Sequence, residues 1–335
     1  MTKFKNFFLY LLIPVIFILI GWFLNVAYNL PKSSKNPIAE VRPTPLLKYS
    51  IENLTATDFK PSEITIGKVV KDYPKFTAYE FSMQFSPDLG SSLKKTSGLI
   101  NIPKGSGPYP LVVMYRGYVD QKQYVIGMGT QPSATVFANN GYITIAPDFL
   151  GYGNSDHEAS DVFESRFQSY VTAVDVLKSV SSIKNWDKKN IFIWGHSNGG
   201  QIALTTLEIT GVTYPTVLWA PVSMPFPGSI LFYAYEADDQ GKFLVDKLAD
   251  FNKTYDASKF SLTNYVSQIK APIQLNQGTN DVEVPYWISD TLNKELKDAT
   301  VSATYIKYPG NDHNMRPNWN GVVENNLQFF KSHIQ

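Results

Sequence analysis

Gly195-His196-Ser197-Asn198-Gly199-Gly200 is the stretch whose residue types can do chemistry. An apolar run (Ile191 to Trp194) precedes it and a helical pattern follows. A serine between small residues at a strand-to-helix turn has its oxygen exposed and a helix N-terminus aimed at developing negative charge. That is the chemistry of acyl transfer through a serine nucleophile, and it makes Ser197 the candidate. A glycine-rich turn whose serine only caps a helix is the alternative meaning. A nucleophilic serine requires a base, and the chain offers four histidines. His196 adjoins the serine and would point elsewhere, as a packing or hydrogen-bonding residue. His157 comes too early for the order serine, acid, histidine, and His333 belongs to the C-terminal helical pattern. His313 follows the last strand-like run in a loop and is the expected base. The acid that fixes its tautomer should leave a strand between Ser197 and His313. Asp281 does so, after Ile273 to Asn276, with Glu283 as the spare; Asp312 adjoins His313 and cannot easily face its ring.

The oxyanion that forms in acyl transfer needs preorganised donors. The backbone N–H of Asn198 is one. The second is expected from Tyr115-Arg116-Gly117-Tyr118, where Gly117 permits close backbone approach and the Tyr115 hydroxyl is a further possible donor. Tyr118, Trp219, Met224 and Phe226 are the candidate substrate-pocket residues, although aromatics of this kind also serve as packing.

These residues need a frame. Continuous apolar runs at Leu111 to Tyr115, Tyr142 to Ala146 and Ile191 to Trp194 read as central parallel strands covered on both faces. Val217 to Ala220, Ile273 to Asn276 and Ala303 to Tyr308 follow. Tyr79 to Phe85 alternates as a half-buried strand, and Ser97 to Ile102 is another. Helical spacing falls between them, at Val162 to Val180, Ser197 to Thr210, Tyr286 to Leu296 and Glu324 to Ile334. The expected fold class is α/β, a mostly parallel sheet with helices on both faces. Residues 61–335 form the catalytic domain, and residues 222–271 look like a small lid over the site.

Residues 7–24 are apolar and uncharged. At about 1.5 Å per residue they extend about 27 Å, near the thickness of a bilayer's hydrocarbon core. Residues 1–24 are therefore expected to be a membrane anchor, and residues 25–60, broken by four prolines, a tether. A cleaved signal segment is the rival reading. Either places the catalytic domain outside the cytoplasm, membrane-anchored in the first case and secreted in the second. The chain has 335 residues, a formal net charge of +1 and no cysteine. A near-neutral balance gives no drive toward nucleic acid. Without cysteine there is no disulfide and no thiolate nucleophile. The histidines lack metal-ligand spacing, and no metal or organic cofactor is implied.

Taken together these motifs resemble the catalytic domain of the prolyl oligopeptidase family, over roughly residues 75–335. The resemblance rests on residues 107–118, 141–156, 195–200, 277–285 and 309–315. It implies the α/β-hydrolase fold and hydrolysis of an ester or peptide bond through an acyl-enzyme on Ser197. It also implies an oxyanion role for the Tyr115 hydroxyl and a structural role for the loop Asp148-Phe149-Leu150-Gly151-Tyr152-Gly153. Family peptidases usually carry a large N-terminal propeller. The roughly fifty residues between the apolar run and the first strands are too few for one, which favours a carboxylesterase as the alternative. An acyltransferase would use the same acyl-enzyme. A non-catalytic surface-binding protein is disfavoured by the intact serine, acid and histidine.

Overall fold

The computed structural model describes residues 43–234 and 239–335, with Thr44–Gln335 as one unit. Residues 7–24 lie outside the described residues. Among the described residues no helix is long and apolar enough to cross a membrane.

Among the described residues nine strands form one sheet in the order β1-β2-β3-β5-β4-β6-β7-β8-β9. They are β1 (Thr65–Asp72), β2 (Phe76–Phe85), β3 (Lys94–Pro103), β4 (Tyr109–Tyr115), β5 (Ile143–Pro147), β6 (Trp186–His196), β7 (Thr216–Trp219), β8 (Ile273–Gly278) and β9 (Ala303–Tyr308). The first three and the β3–β5 pair are antiparallel, and every pairing from β5 through β9 is parallel. Eight helices accompany them among the described residues: α1 (Ile51–Ala56), α2 (Gln131–Asn139), α3 (Val162–Ser179), α4 (Asn198–Thr210), α5 (Gly228–Ala234), α6 (Lys242–Asn252), α7 (Tyr286–Asp298) and α8 (Trp319–Lys331).

Strand side chains alternate between faces, and β4 shows both. Leu111, Val113 and Tyr115 pack with Val171 of α3 and Leu204 of α4. Val112 and Met114 pack with Phe137 of α2 and Phe330 of α8. The sheet is thus buried on both sides, as continuous apolar runs require. The parallel register carries Tyr115, Gly195, Leu218, Leu275 and Tyr305 across in one row. The loops that follow these strands therefore emerge along one edge.

Four elements differ from expectation. β1 has every residue exposed, so it carries no burial pattern and is held by pairing with β2. α2 is an additional helix. α8 begins at Trp319, earlier than Glu324, because Val322 and Val323 are already buried. The unit also begins at Thr44 rather than at residue 61. Tyr49, Ile51 and Leu54 are buried in the main core, and Leu46 N–H donates to the Tyr255 hydroxyl at 3.1 Å. The second half of the expected tether is therefore part of the packed unit. Residues 222–271 hold α5, α6 and three single 3₁₀ turns. They seat Phe226, Phe251 and Phe260 on Phe163 and Phe167 of α3.

Buried carboxyls without partners stand out among the described residues, Glu208 and Asp175 among them. Asp175 on α3 is buried, and among the described residues it has no hydrogen-bond partner. Burial pushes its carboxyl up to about 7. The folded state therefore holds the proton more tightly than the unfolded state, and stability falls as pH rises from about 4 through about 7. The upper bound on that loss is about 4 kcal/mol, from about three pKa units. Asp175→Asn is expected to raise the melting temperature at pH 8, with the gain disappearing near pH 4. A pH series of thermal melts on both proteins checks this.

Candidate active site

β6 ends at His196 and α4 begins at Asn198, so Ser197 alone makes the turn. Its backbone sits at φ 57° and ψ −121°. A non-glycine residue there is strained, at a cost of about 1–3 kcal/mol, and persists only where its surroundings enforce it. Here the enforcement is packing. A β-carbon at Gly199 would collide with the Tyr115 carbonyl oxygen, so α4 enters directly against the end of β4. Ser197 N–H donates to the Trp219 carbonyl at 2.9 Å, and its own carbonyl accepts from Val222 at 3.1 Å. Both neighbours of the turn are thereby fixed to β7 and its exit. Gly117 faces the serine side chain: a β-carbon placed on it would lie 3.1 Å from Ser197 Cβ and 3.6 Å from Oγ.

Asp281 and His313 meet from the loops after β8 and β9. Asp281 Oδ2 lies 2.8 Å from His313 Nδ1, and both side chains are buried. Three further donors hold the carboxylate. Glu283 N–H (3.0 Å) and Val284 N–H (2.8 Å) reach Oδ1, and Gln277 Nε2 (3.0 Å) reaches Oδ2. The carboxylate accepts, so Nδ1 carries the proton and Nε2 is free to accept one. Asn280 N–H donates to the Asn311 carbonyl at 2.9 Å and ties the two loops together. Asp312 is turned away, accepting from Asn314 N–H and Arg316 N–H. Glu283 is largely exposed, with Oε2 3.7 Å from His313 Nε2. Among the described residues the Ser197 hydroxyl makes no hydrogen bond. Such bonds are often long in an unliganded site and tighten with substrate.

His196 has a role that the sequence leaves open. Burial pushes its imidazole down to about 3, so the ring is neutral at ordinary pH. Its Nε2 lies 3.0 Å from the His313 carbonyl. A carbonyl only accepts, so Nε2–H donates and positions the His313 loop. Gln277 is a second unanticipated support. Its Nε2 also donates to the Gly278 and Val284 carbonyls, while its Oε1 accepts from Ser289. A glutamine in an otherwise covered parallel strand is the sequence signal that could have found it.

Several expected positions require correction. The Tyr115 hydroxyl donates to the Ala173 carbonyl at 3.1 Å and is fully buried in the core. As the last residue of β4 it points into the α3 and α4 face, away from any oxyanion. Trp219 is buried against Trp194, with Nε1 donating to Asn326 Oδ1 at 2.7 Å. Met224 belongs to the α2 and α8 core, and Phe226 to the ring cluster on α3. These are packing residues because β7 and its exit run beneath the site. Tyr118 differs, being 76% exposed and on the rim of a cavity that also reaches Asn198. Arg116, between them in sequence, is buried. It donates to the Gly117 and Asp148 carbonyls at 3.0 Å each, and it stacks over Tyr152 at 4.0 Å and Tyr124 at 4.8 Å. It pins the turn that Gly117 makes.

A strained serine turn on a mostly parallel sheet, with an acid-held histidine on a loop at the same sheet edge, places the molecule among the serine hydrolases of α/β-hydrolase fold. Comparison with known proteins narrows that class. Residues 129–335 match the prolyl oligopeptidase family, and the chain belongs to that family. It is 24% identical over 287 residues to dipeptidyl aminopeptidase BIII of Pseudoxanthomonas mexicana, covering 79% of this chain and 40% of the relative. It is 22% identical over 213 residues to acetyl esterase Axe7A of Xylanibacter ruminicola, covering 56% and 46%. The chain thus spans less than half the length of these relatives. Among solved structures, an acetyl xylan esterase from Paenibacillus sp. R4 superposes with TM-score 0.62 at 18% identity, covering 90% of this chain and 97% of that one. The chain is a serine hydrolase of peptidase or esterase type.

The geometry ranks the three acids. Asp281→Asn is expected to lower turnover by roughly 10⁴, as loss of the tautomer-holding acid does. Glu283→Gln and Asp312→Asn should each cost orders of magnitude less. Steady-state kinetics on the three variants, with melts to confirm folding, decides the order.

Proposed function

We propose that this protein hydrolyses small carboxylic esters through an acyl-enzyme on Ser197, with His313 as base and Asp281 as its orienting acid. The observation that carries this reading is the strained Ser197 turn on the same sheet edge as the 2.8 Å Asp281–His313 pair. Ser197 Oγ adds to the carbonyl carbon as its proton passes to His313 Nε2. The bond to the leaving alcohol then breaks, and His313 returns the proton to it. Water attacks the acyl carbon, His313 takes its proton, and Ser197 is regenerated with release of the acid. Asp281 keeps Nδ1 protonated and stabilises the imidazolium.

The oxyanion would sit between the Asn198 N–H, in the first turn of α4, and the Gly117–Tyr118 peptide. The Gly117 carbonyl is held by Arg116, and in a trans peptide the Tyr118 N–H points the opposite way. The adjoining cavity, about 250 Å³, suits a small acyl or alcohol group and supports an ester over a folded or long peptide. The names of the curated relatives span both chemistries.

Ser197→Ala is expected to abolish hydrolysis, a loss on the order of 10⁴–10⁶ in turnover, with folding intact. A fluorophosphonate probe should label the wild type and not the variant. In a side-by-side assay, short-chain esters should be cleaved far faster than peptide amides. Faster cleavage of the amides would reassign the protein as a peptidase.

We further propose that residues 7–24 anchor the protein in a membrane, with the catalytic unit outside the cytoplasm. The uncharged composition of that run supports it. The full chain is expected to fractionate with membranes and to resist salt and carbonate washing. A chain starting near residue 30 should be soluble. Full-length protein in the soluble fraction with its N-terminus intact would contradict the anchor.

A further inference from the structure

The cavity beside Asn198 is more cationic than a neutral ester needs. Two guanidinium groups line it, Arg116 and Arg166. Arg116 is 6% exposed, and its Nε is buried without a partner. Its charge is partly answered by Asp148, whose carboxylate accepts from Ser97 and Tyr124. Among the described residues Arg166, on α3, has no such counterpart. Its Nη2 donates to Gln201 Oε1 at 2.7 Å, and Gln201 Nε2 donates to the Tyr170 hydroxyl at 3.2 Å. That chain fixes the plane of the guanidinium through a neutral amide. The Arg166 Nε is likewise buried without a partner. Among the described residues no carboxylate lies within ion-pair distance of it.

Arg166 is half-buried, so its guanidinium is only partly solvated and gains from an opposite charge that reaches it through the cavity. A carboxylate in the cavity would meet the guanidinium's outward nitrogens with charge-assisted hydrogen bonds. The remaining walls include Phe149 and Ile202, which suit a short methylene chain. The lining also includes Tyr118 and Asn198, the residue that follows the nucleophile.

We propose that this cavity is a carboxylate subsite, with Arg166 as its principal ligand, and that the enzyme prefers esters bearing a carboxylate a short chain away from the scissile carbonyl. The inference rests on the Ser197 reading above and adds the substrate class to it. The carboxylate could belong to the acyl part or to the alcohol part, and two substrate pairs separate these. Monomethyl glutarate against methyl glutaramate tests the acyl side. Acetoxyacetate against acetoxyacetamide tests the alcohol side.

In one arm the anion is expected to exceed its neutral amide by about tenfold or more in kcat/KM, the scale of one charge-assisted bidentate contact. Arg166→Gln should reduce that ratio toward one, and Arg166→Lys should keep part of it as a point charge without the fork. Equal turnover of anion and amide in both arms overturns the subsite and leaves the hydrolase reading intact. So does a preference that survives Arg166→Gln undiminished. Failure of the wild type to cleave any of the four esters removes both readings. Should neither variant fold, the wild-type ratios alone decide.

Discussion

The whole site hangs on one backbone constraint, the strained positive-φ conformation of Ser197 between β6 and α4. It holds only because there is no room for another path. Gly199 lies directly against the end of β4, and the serine's own N–H and carbonyl are tied to β7 and its exit. Three parallel strands and one helix must therefore be in register before the hydroxyl is presented. The conformational cost is local, and the packing that offsets it is spread through both faces of the sheet.

The acid and the histidine are held differently, by polar groups rather than by sterics. Gln277 and two backbone amides hold Asp281, Asn280 joins the loops, and neutral His196 bonds to the backbone of His313. A buried network is stabilising only when its members are satisfied. Here each support is a donor matched to an acceptor. The result is a rigidly held base, with Glu283 as the exposed group at the outer nitrogen.

Much of this was legible in the sequence, for physical reasons that also explain the misses. The central strands were readable because burial on both faces demands unbroken apolar runs, and the serine turn because only glycines tolerate its crowding. Asp281 was preferred to Asp312 by its loop, with Glu283 of the same loop kept as the spare, and the 2.8 Å contact to His313 Nδ1 is Asp281's. Tyr115 was misread because a tyrosine at a strand end has two possible faces, and the direction of its hydroxyl depends on which helix covers it. Trp219, Met224 and Phe226 were misread because a core aromatic and a pocket aromatic have the same composition. Arg116 and Arg166 were missed because their effect depends on which charges fail to meet them, a property of three-dimensional placement. β1 left no pattern because nothing on it is buried.

That same strand has a bearing on how copies of the molecule behave toward one another. Among the described residues β1 is the outer margin of the sheet, paired on one side only, and an edge of that kind is a ready template for a foreign strand. Lys68 and Lys71 stand along it, and its pairing with β2 is broken by irregularities around Val69. Charge and a kinked outline together make a poor surface for edge-to-edge stacking. The apolar Ile66, Val69 and Val70 are thereby tolerated in the open without turning the enzyme into a seed for its own aggregation.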